Sequence, residues 1–453
     1  MGCCGVPSAK SPQTVPLDAM GRVNGTIDKA PIPIPIPIPA PAPAPDPAPA
    51  PDPDSVEIDR DKLEAIIKRS PERTESTLKE LCQFLKDNSS RLHTKEKAWL
   101  VFRWLGLNID YDVEGLDSGE DVDVTPEGAF KNGKTVCSGY SRLYKTIGDA
   151  LGLEIICITG YAKGVGYDSE KSFISTNHEW NIVVINGKRY LLDSTWGGGS
   201  RIEGKYVRRY SPYYFFPDPE SFIRSHLPVN PQWQLLKEPV SKEKFESLLK
   251  YNGQFYETGL ISSNYETAII SCRDIATFKI EYNPIINMHM LIDLKYFQNG
   301  RYEKVDHGSF IQKLDGHFLG TVVLNKKGKY LAVFFSKLAH EELYSSCFEH
   351  VINCDEDAET FKELPQSYTS YESTGTILHE PKFGPLKKGS SVYFKIELKG
   401  VDKVMVCASN HVQLDKNGDI YTGNVTIDVD DIVVYYMGPG MEQYSGLLKY
   451  TVN

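Results

Sequence analysis

The sequence predicts an α+β chain, a core of helices and then strands followed by two β-sandwich domains, with a disordered proline-rich tail in front. Three observations lead there. Helix-start signals and apolar residues at three- and four-residue spacing run from Ser55 to Gly152. Beyond Lys242-Glu243-Lys244-Phe245, short β-rich runs alternate with turn signals, the pattern of sandwiches. Between Pro31 and Pro53 every second residue is proline, which removes the donors that helix and sheet need. The expected divisions are a tail over 1–54, a core over 55–239 and β-rich domains over 240–354 and 363–453.

Length and composition bound the function. A chain of 453 residues with 41% hydrophobic and 24% charged residues can bury several cores. Its formal charge of −10 argues against nucleic acid as a partner, because phosphate binding needs a basic face. No apolar run reaches the roughly 18–20 residues of a membrane span. Nine cysteines without a regular framework suit a cytoplasmic protein with free thiols.

The tail opens Met-Gly-Cys-Cys-Gly. Gly2, freed by removal of Met1, is a candidate for myristoylation, and Cys3 and Cys4 are placed for palmitoylation. Two acyl chains would hold the protein at the inner face of a membrane, which one does not. Val6 stands where Ser or Thr is preferred in such a signal. The alternating prolines predict a polyproline II rod, about 3.1 Å per residue and so on the order of 70 Å long. A spacer is the first reading of it, and a ligand for a proline-recognising domain the second.

In the core, Ser70-Pro71-Glu72 reads as one helix start, Thr94 as a second and Thr125-Pro126-Glu127 as a third. Tyr140, Leu143, Tyr144, Ile147 and Leu151 then recur at helical spacing, ended by Gly152, so Cys137 falls at a helix N-terminus. Unpaired N–H groups and the positive dipole end favour a thiolate there, and can form an oxyanion hole. Cys82, Cys157, Cys272 and Cys407 sit in apolar runs and read as small buried hydrophobes.

A strand over Leu153–Gly160 and a glycine-rich loop from Lys163 to Asp168 precede a hairpin. Asn186-Gly187 joins a run from His178 to Ile185 to a returning strand from Lys188 to Trp196, the signature of a two-residue type I′ turn. With Ile185 opposite Lys188, Trp180 falls opposite Asp193 and His178 opposite Thr195. His178 and Asp193 become diagonal neighbours on one face, roughly 7–8 Å apart at Cα. Cys137, His178 and Asp193 then have the types and placement of a nucleophile, a base and its orienter. Trp180 and Trp196 flank the site as candidate walls, one of them better read as core, and Gly197 to Gly199 allow close backbone approach.

At these residues the sequence resembles the transglutaminase-like superfamily, whose core shares the papain-type Cys-His-Asp arrangement, and within it the kyphoscoliosis peptidase family. The resemblance lies in 104–112 (WLGLNIDYD), 129–145 (AFKNGKTVCSGYSRLYK), 160–168 (GYAKGVGYD), 177–183 (NHEWNIV), 192–198 (LDSTWGG) and 226–236 (HLPVNPQWQLL). It implies a papain/transglutaminase-like cysteine core, a cytoplasmic protein linked to the cytoskeleton and a protein substrate, with peptidase activity in some members of the family, transglutaminases elsewhere in the superfamily, and members that keep the fold without activity.

In the C-terminal half, 344–353 (YSSCFEHVIN) parallels 444–453 (YSGLLKYTVN). Asp315-Gly316 and Asn417-Gly418 each precede an aliphatic strand holding a second glycine, Gly320 and Gly423. Two copies of an immunoglobulin-like unit follow from this. No metal or other cofactor is expected. Cys347, His350 and Cys354 imitate zinc spacing, but a strand sends the first two to opposite faces. Asp415, Asn417 and Asp419 imitate a calcium loop without its glycine or its Glu. The acidic run Asp117, Glu120, Asp121, Asp123 reads as a solvated loop.

The expected function is therefore an intracellular thiol enzyme, a cytoskeleton-associated peptidase working through a thioester acyl-enzyme. Two alternatives stand beside it: a catalytically silent, membrane-tethered cytoskeletal scaffold, and a protein-glutamine transglutaminase, which shares the thioester and differs in the acceptor.

Overall fold

A computed structural model describes residues 55–119 and 121–453. The proline-rich stretch, its expected disorder, and the candidate acylation residues Gly2, Cys3 and Cys4 lie outside the described residues.

Helix α1 (Arg60–Lys68) is capped by the Asp59 side chain and buries Leu63, Ile66 and Ile67 at helical spacing. The helix start expected at Ser70-Pro71-Glu72 is absent. Ser70 instead closes α1, its hydroxyl donating to the Ile67 carbonyl at 2.7 Å. A single 3-10 turn (Arg73–Glu75) follows, and α2 (Leu78–Ser89) begins after Thr77. Thr77 and Glu80 form a capping box that satisfies two backbone donors at once, more than a Ser-Pro step offers. Helix α3 (Thr94–Asn108) is capped by His93 and is buried on several sides through Trp99, Leu100, Val101, Phe102, Trp104 and Leu105. It is the central helix of the core.

Strand β1 (Asp110–Tyr111), α4 (Val113–Ser118), α5 (Pro126–Asn132) and β2 (Lys134–Thr135) lead into α6 (Cys137–Ala150). β1 and β2 pair in parallel. Strands β3 (Glu154–Ala162), β4 (His178–Ile185) and β5 (Lys188–Leu192) then build an antiparallel sheet. Asn186 and Gly187 both have positive φ, 53° and 78°, which a type I′ turn requires, and Ile185 faces Lys188. The ladder ends at Asn181 opposite Leu192, so the returning strand stops four residues before Trp196. There the Asp193 side chain accepts from the backbone N–H groups of Thr195 and Trp196 and opens α7 (Ser194–Gly198). The expected pairing of His178 with Thr195 is lost to this helix cap.

After β6 (Gly199–Ile202) and β7 (Lys205–Arg208) come α8 (Pro219–Phe222) and β8 (His226–Pro228). β8 pairs with β3, giving the sheet order β5-β4-β3-β8. One apolar cluster, from Leu63 to Phe222, fills the space between these helices and the sheet.

The chain passes through α9 (Lys242–Ser247) and α10 (Gly253–Glu257) into a strand-rich region of two sandwiches. The first contains β9 (Leu260–Ser263), β10 (Ile269–Cys272), β11 (Ile275–Tyr282), β12 (Met288–Gln298), β13 (Arg301–Lys304), β14 (Ser309–Leu314), β15 (His317–Val323), β16 (Gly328–Leu338) and β17 (Ser345–Cys354). Its sheets have the orders β10-β17-β16-β12-β13 and β14-β15-β11-β9. The second contains β18 (Gln366–Ser367), β19 (Ile377–Glu380), β20 (Ser391–Glu397), β21 (Lys403–Cys407), β22 (Val412–Gln413), β23 (Asp415–Asn417), β24 (Ile420–Thr426), β25 (Asp431–Met437) and β26 (Ser445–Thr451). Its sheets, β18-β26-β25-β21-β22 and β19-β20-β24-β23, repeat the five-plus-four plan.

The repeat extends to a defect. The register slips between Phe334 and Phe335 so that Cys347 is skipped, and between Val434 and Tyr435 so that Leu447 is skipped. Each is a β-bulge at the same place in its final hairpin, and each turns a residue into the core. The bulge corrects the alternation argument at the zinc-like spacing, because Cys347 and His350 are both buried. They do not converge on a shared point with Cys354; the Cys347 thiol donates to the Phe334 carbonyl. The calcium-like spacing forms the β23–β24 hairpin.

Candidate active site

Cys137 is the first residue of α6, and Val136, its cap, offers no side-chain acceptor. The first-turn N–H groups, which have no intrahelical partners in any helix, are therefore not capped by that side chain either. Gly139 is required in that turn: a Cβ there would collide with Thr135.

His178 opens β4, and its Nε2 lies 2.7 Å from Asp193 Oδ2. The thiol of Cys137 interacts with the same imidazole, which leaves Nδ1 as the nitrogen facing sulfur. Burial works against charge on His178, but the Asp193 carboxylate and Cys137 outweigh it, and the imidazole is pushed up to about 10. Asp193 has no exposed surface. Burial would raise its pKa; charge and hydrogen bonds from His178 and His226 hold it well below the usual carboxylate range instead. The structure thus brings Cys137, His178 and Asp193 together, with a proton on the histidine at neutral pH.

Asp193 is held from three sides. Its Oδ1 accepts from the N–H of Thr195 at 2.8 Å and of Trp196 at 3.1 Å, and its backbone N–H donates to the Tyr214 carbonyl. α7, which it caps, lies against α3 where Gly198 and Gly106 meet backbone to backbone. That contact is what the glycines after Trp196 make possible.

Trp180 is fully buried, with its ring 6.0 Å from that of His178. It belongs to the core beneath the site. Trp196 is half-buried, 5.4 Å from the His178 ring and 4.4 Å from that of His226, and is the wall. Lys250, from the approach to the first sandwich, lies over the other part of that wall, 5.9 Å from the Trp196 ring.

Three neighbours were not singled out from sequence. Tyr111, in β1, is close enough to Cys137 and Asp193 that their charges add to burial in raising its phenol. Lys163, after β3, is buried, and donates at 2.6 Å to the carbonyls of both Phe245 and Leu248. Burial pushes this lysine down to about 7. His226, in β8, reaches Asp193 Oδ2 at 3.1 Å. Its only signal in the sequence is its place at the head of one of the resembling stretches.

His178, Asp193 and His226 also have the composition of a metal site, their ligand atoms lying within 4.8 Å of one another. The facing atoms are already joined by the two hydrogen bonds at Oδ2, so the arrangement fits an orienting network and not a metal cradle. The other cysteines are free among the described residues. Cys157, expected buried, is exposed on β3; Cys82, Cys272 and Cys407 are half-buried.

Residues 82–193 match the model of the transglutaminase-like superfamily. Residues 242–365 match that of the KY-like, immunoglobulin-like domain. Fold and site together define a transglutaminase-like domain followed by a strand-rich, immunoglobulin-like region. In particular, the chain resembles the kyphoscoliosis peptidases. That of Mus musculus is 32% identical over 265 residues, 57% of this chain and 38% of the relative. That of Homo sapiens is 31% identical over 281 residues, 61% of this chain and 41% of the relative. Cytokinesis protein 3 of Schizosaccharomyces pombe is 24% identical over 183 residues, 40% of this chain and 20% of its own. The chain spans about two fifths of the length of the two peptidases it matches.

Proposed function

We propose that this protein is a thiol peptidase acting on protein substrates, with Cys137 as nucleophile, His178 as general base and acid, and Asp193 as orienter. The observation that carries the reading is the 2.7 Å bond from His178 Nε2 to Asp193, which turns the other ring nitrogen to a cysteine at a helix N-terminus. The Cys137 thiolate adds to a peptide carbonyl, and the oxygen of the tetrahedral intermediate is met by the N–H groups of the first turn of α6. The C–N bond breaks as His178 gives its proton to the departing amine, leaving a thioester on Cys137. Water, deprotonated by His178, then adds to the thioester carbonyl, and the C–S bond breaks to release the acid and restore the Cys137 thiolate beside a protonated His178.

The setting proposed is cytoplasmic, on the cytoskeleton or at a membrane face through the N-terminus. Free cysteines among the described residues and the name of the cytokinesis relative support the first. No helix among the described residues is long and apolar enough to cross a membrane.

The test is incubation of the full chain, and of Cys137→Ala, with cytoskeletal protein extracts and a lysine-mimicking amine, followed by mass spectrometry. New termini that depend on Cys137 are the expected result. Amine incorporation without new termini would make the protein a transglutaminase, and neither product would leave the scaffold reading.

A further inference from the structure

Asp193 has room for about four hydrogen bonds on its two oxygens, and the structure supplies four donors. Two are the backbone N–H groups of α7 on Oδ1, and one is His178 on Oδ2. The fourth is His226 Nε2, also on Oδ2. We infer that His226 is a positioning residue for the triad: as a neutral Nε2–H donor it fixes the Asp193 carboxylate from the side opposite α7 and so aims His178 at Cys137. This inference rests on the reading of Cys137, His178 and Asp193 as a triad.

The geometry gives His226 a single tautomer. The ionised Asp193 carboxylate can only accept, which puts the ring proton on Nε2; Nδ1 then accepts from the Ser225 hydroxyl at 2.8 Å, closer than that hydroxyl's other acceptor, the Phe222 carbonyl at 3.4 Å. The ring is wholly buried and cannot turn: it stacks on Phe222 at 4.0 Å with planes 8° apart, and meets Trp180 edge-on at 5.2 Å. β8 holds the backbone, His226 pairing with Ala162 on β3. Burial, against the pull of Asp193, pushes His226 down to about 4. It stays uncharged where His178 is charged. Two cations on one oxygen would compete; a neutral donor orients the carboxylate without displacing the imidazolium.

His226 lies 33 residues beyond Asp193, where the match to the transglutaminase-like model ends. The network therefore needs a strand from outside that stretch.

The full-length protein, with ¹⁵N-labelled histidine, tests this by two-bond ¹H–¹⁵N correlation spectra. The expected result is a His226 that keeps the Nε2–H tautomer, without titrating, from pH 5 to 8. An Nδ1–H tautomer, or a titration within that range, overturns the inference. The variants test its effect. His226→Phe preserves a ring for Phe222 and removes the donor, whereas His226→Gln keeps a donor. Alkylation of Cys137 by iodoacetamide near neutral pH should fall roughly 10- to 100-fold in the Phe variant, and recover most of that in the Gln variant at equal melting temperature. A folded Phe variant as reactive as wild type sinks the proposal, and so do equal losses in both variants. Should neither variant fold, the wild-type tautomer decides. If wild-type Cys137 labels no faster than the exposed Cys157 while the tautomer is as expected, the triad reading fails and the hydrogen bond stands.

Discussion

Asp193 does two jobs with one carboxylate, capping α7 through Oδ1 and holding His178 through Oδ2. Asp193→Asn retains a cap, but its amide cannot accept from His178 if nitrogen occupies the Oδ2 position. On the proposed triad, iodoacetamide labelling of Cys137 is expected to slow by roughly 10²- to 10⁴-fold near neutral pH, the scale on which an orienter's lost charge acts. His350 makes a separate prediction. It is buried among Tyr265, Phe278, Phe334 and Phe348. Neither ring nitrogen reaches a partner in hydrogen-bond geometry, although the backbone of Thr267 and Ala268 is in range to interact. Burial pushes it down to about 4. Between there and the ordinary value near 6.5 the unfolded chain binds a proton that the native chain does not. Stability from this group therefore rises with pH across that window and is lost on acidification. His350→Leu should remove about 1 kcal/mol per pH unit from the slope of unfolding free energy between pH 4.5 and 6, read by urea titration.

Elements were legible in the sequence where one local signal had no rival. The Asn186-Gly187 turn fixed the register of β4 on β5, and from it the approach of His178 to Asp193 could be argued. The end of β5 could not, because an aspartate reads equally as a strand residue and as a cap, and only the arrival of Thr195 and Trp196 decides. Ser70-Pro71 failed for a related reason: the Thr77–Glu80 box nearby satisfies more donors. His226 and Lys163 gave no periodic signal, since what they bond lies 33 and more than 80 residues away. Two substitutions test the elements that carry the site. Gly198→Ala places a methyl 3.1 Å from the Gly106 Cα and 3.2 Å from the Tyr206 hydroxyl, so α7 must move off α3. A loss of about 1–3 kcal/mol is expected in thermal or urea unfolding, with slower Cys137 labelling in the population still folded. Thr77→Ala, far from the site, should cost about 1 kcal/mol and leave the labelling rate unchanged.

Across the molecule, the core and the first sandwich are joined by side-chain contacts, some of them buried, and not by a linker alone. Lys163 reaches into α9 and the residue after it, where Phe245 packs with Ile223 and Leu227. Arg209 bonds both Ser345 and Gln254, and the rings of Tyr213 and Tyr256 stack at 4.4 Å. The two sandwiches in turn share a core, in which Phe310 of the first meets Tyr371 of the second. Lys163→Met removes the donor to two carbonyls, and unfolding free energy should fall by about 2–4 kcal/mol. The paired sandwiches were visible in sequence through the repeated final strand, but not the repeated bulge, which depends on how facing strands share residues.

The place of β8 in the chain also sets an order in time. During synthesis, Cys137, His178 and Asp193 leave the ribosome before the strand that braces their carboxylate exists. Domains fold as units while the chain emerges. A nascent chain cut off anywhere short of Pro228 therefore carries a cysteine whose partners lack their last support. On the proposed role of His226, the thiol reaches full reactivity only when β8 has docked beside β3 and the surrounding core is complete.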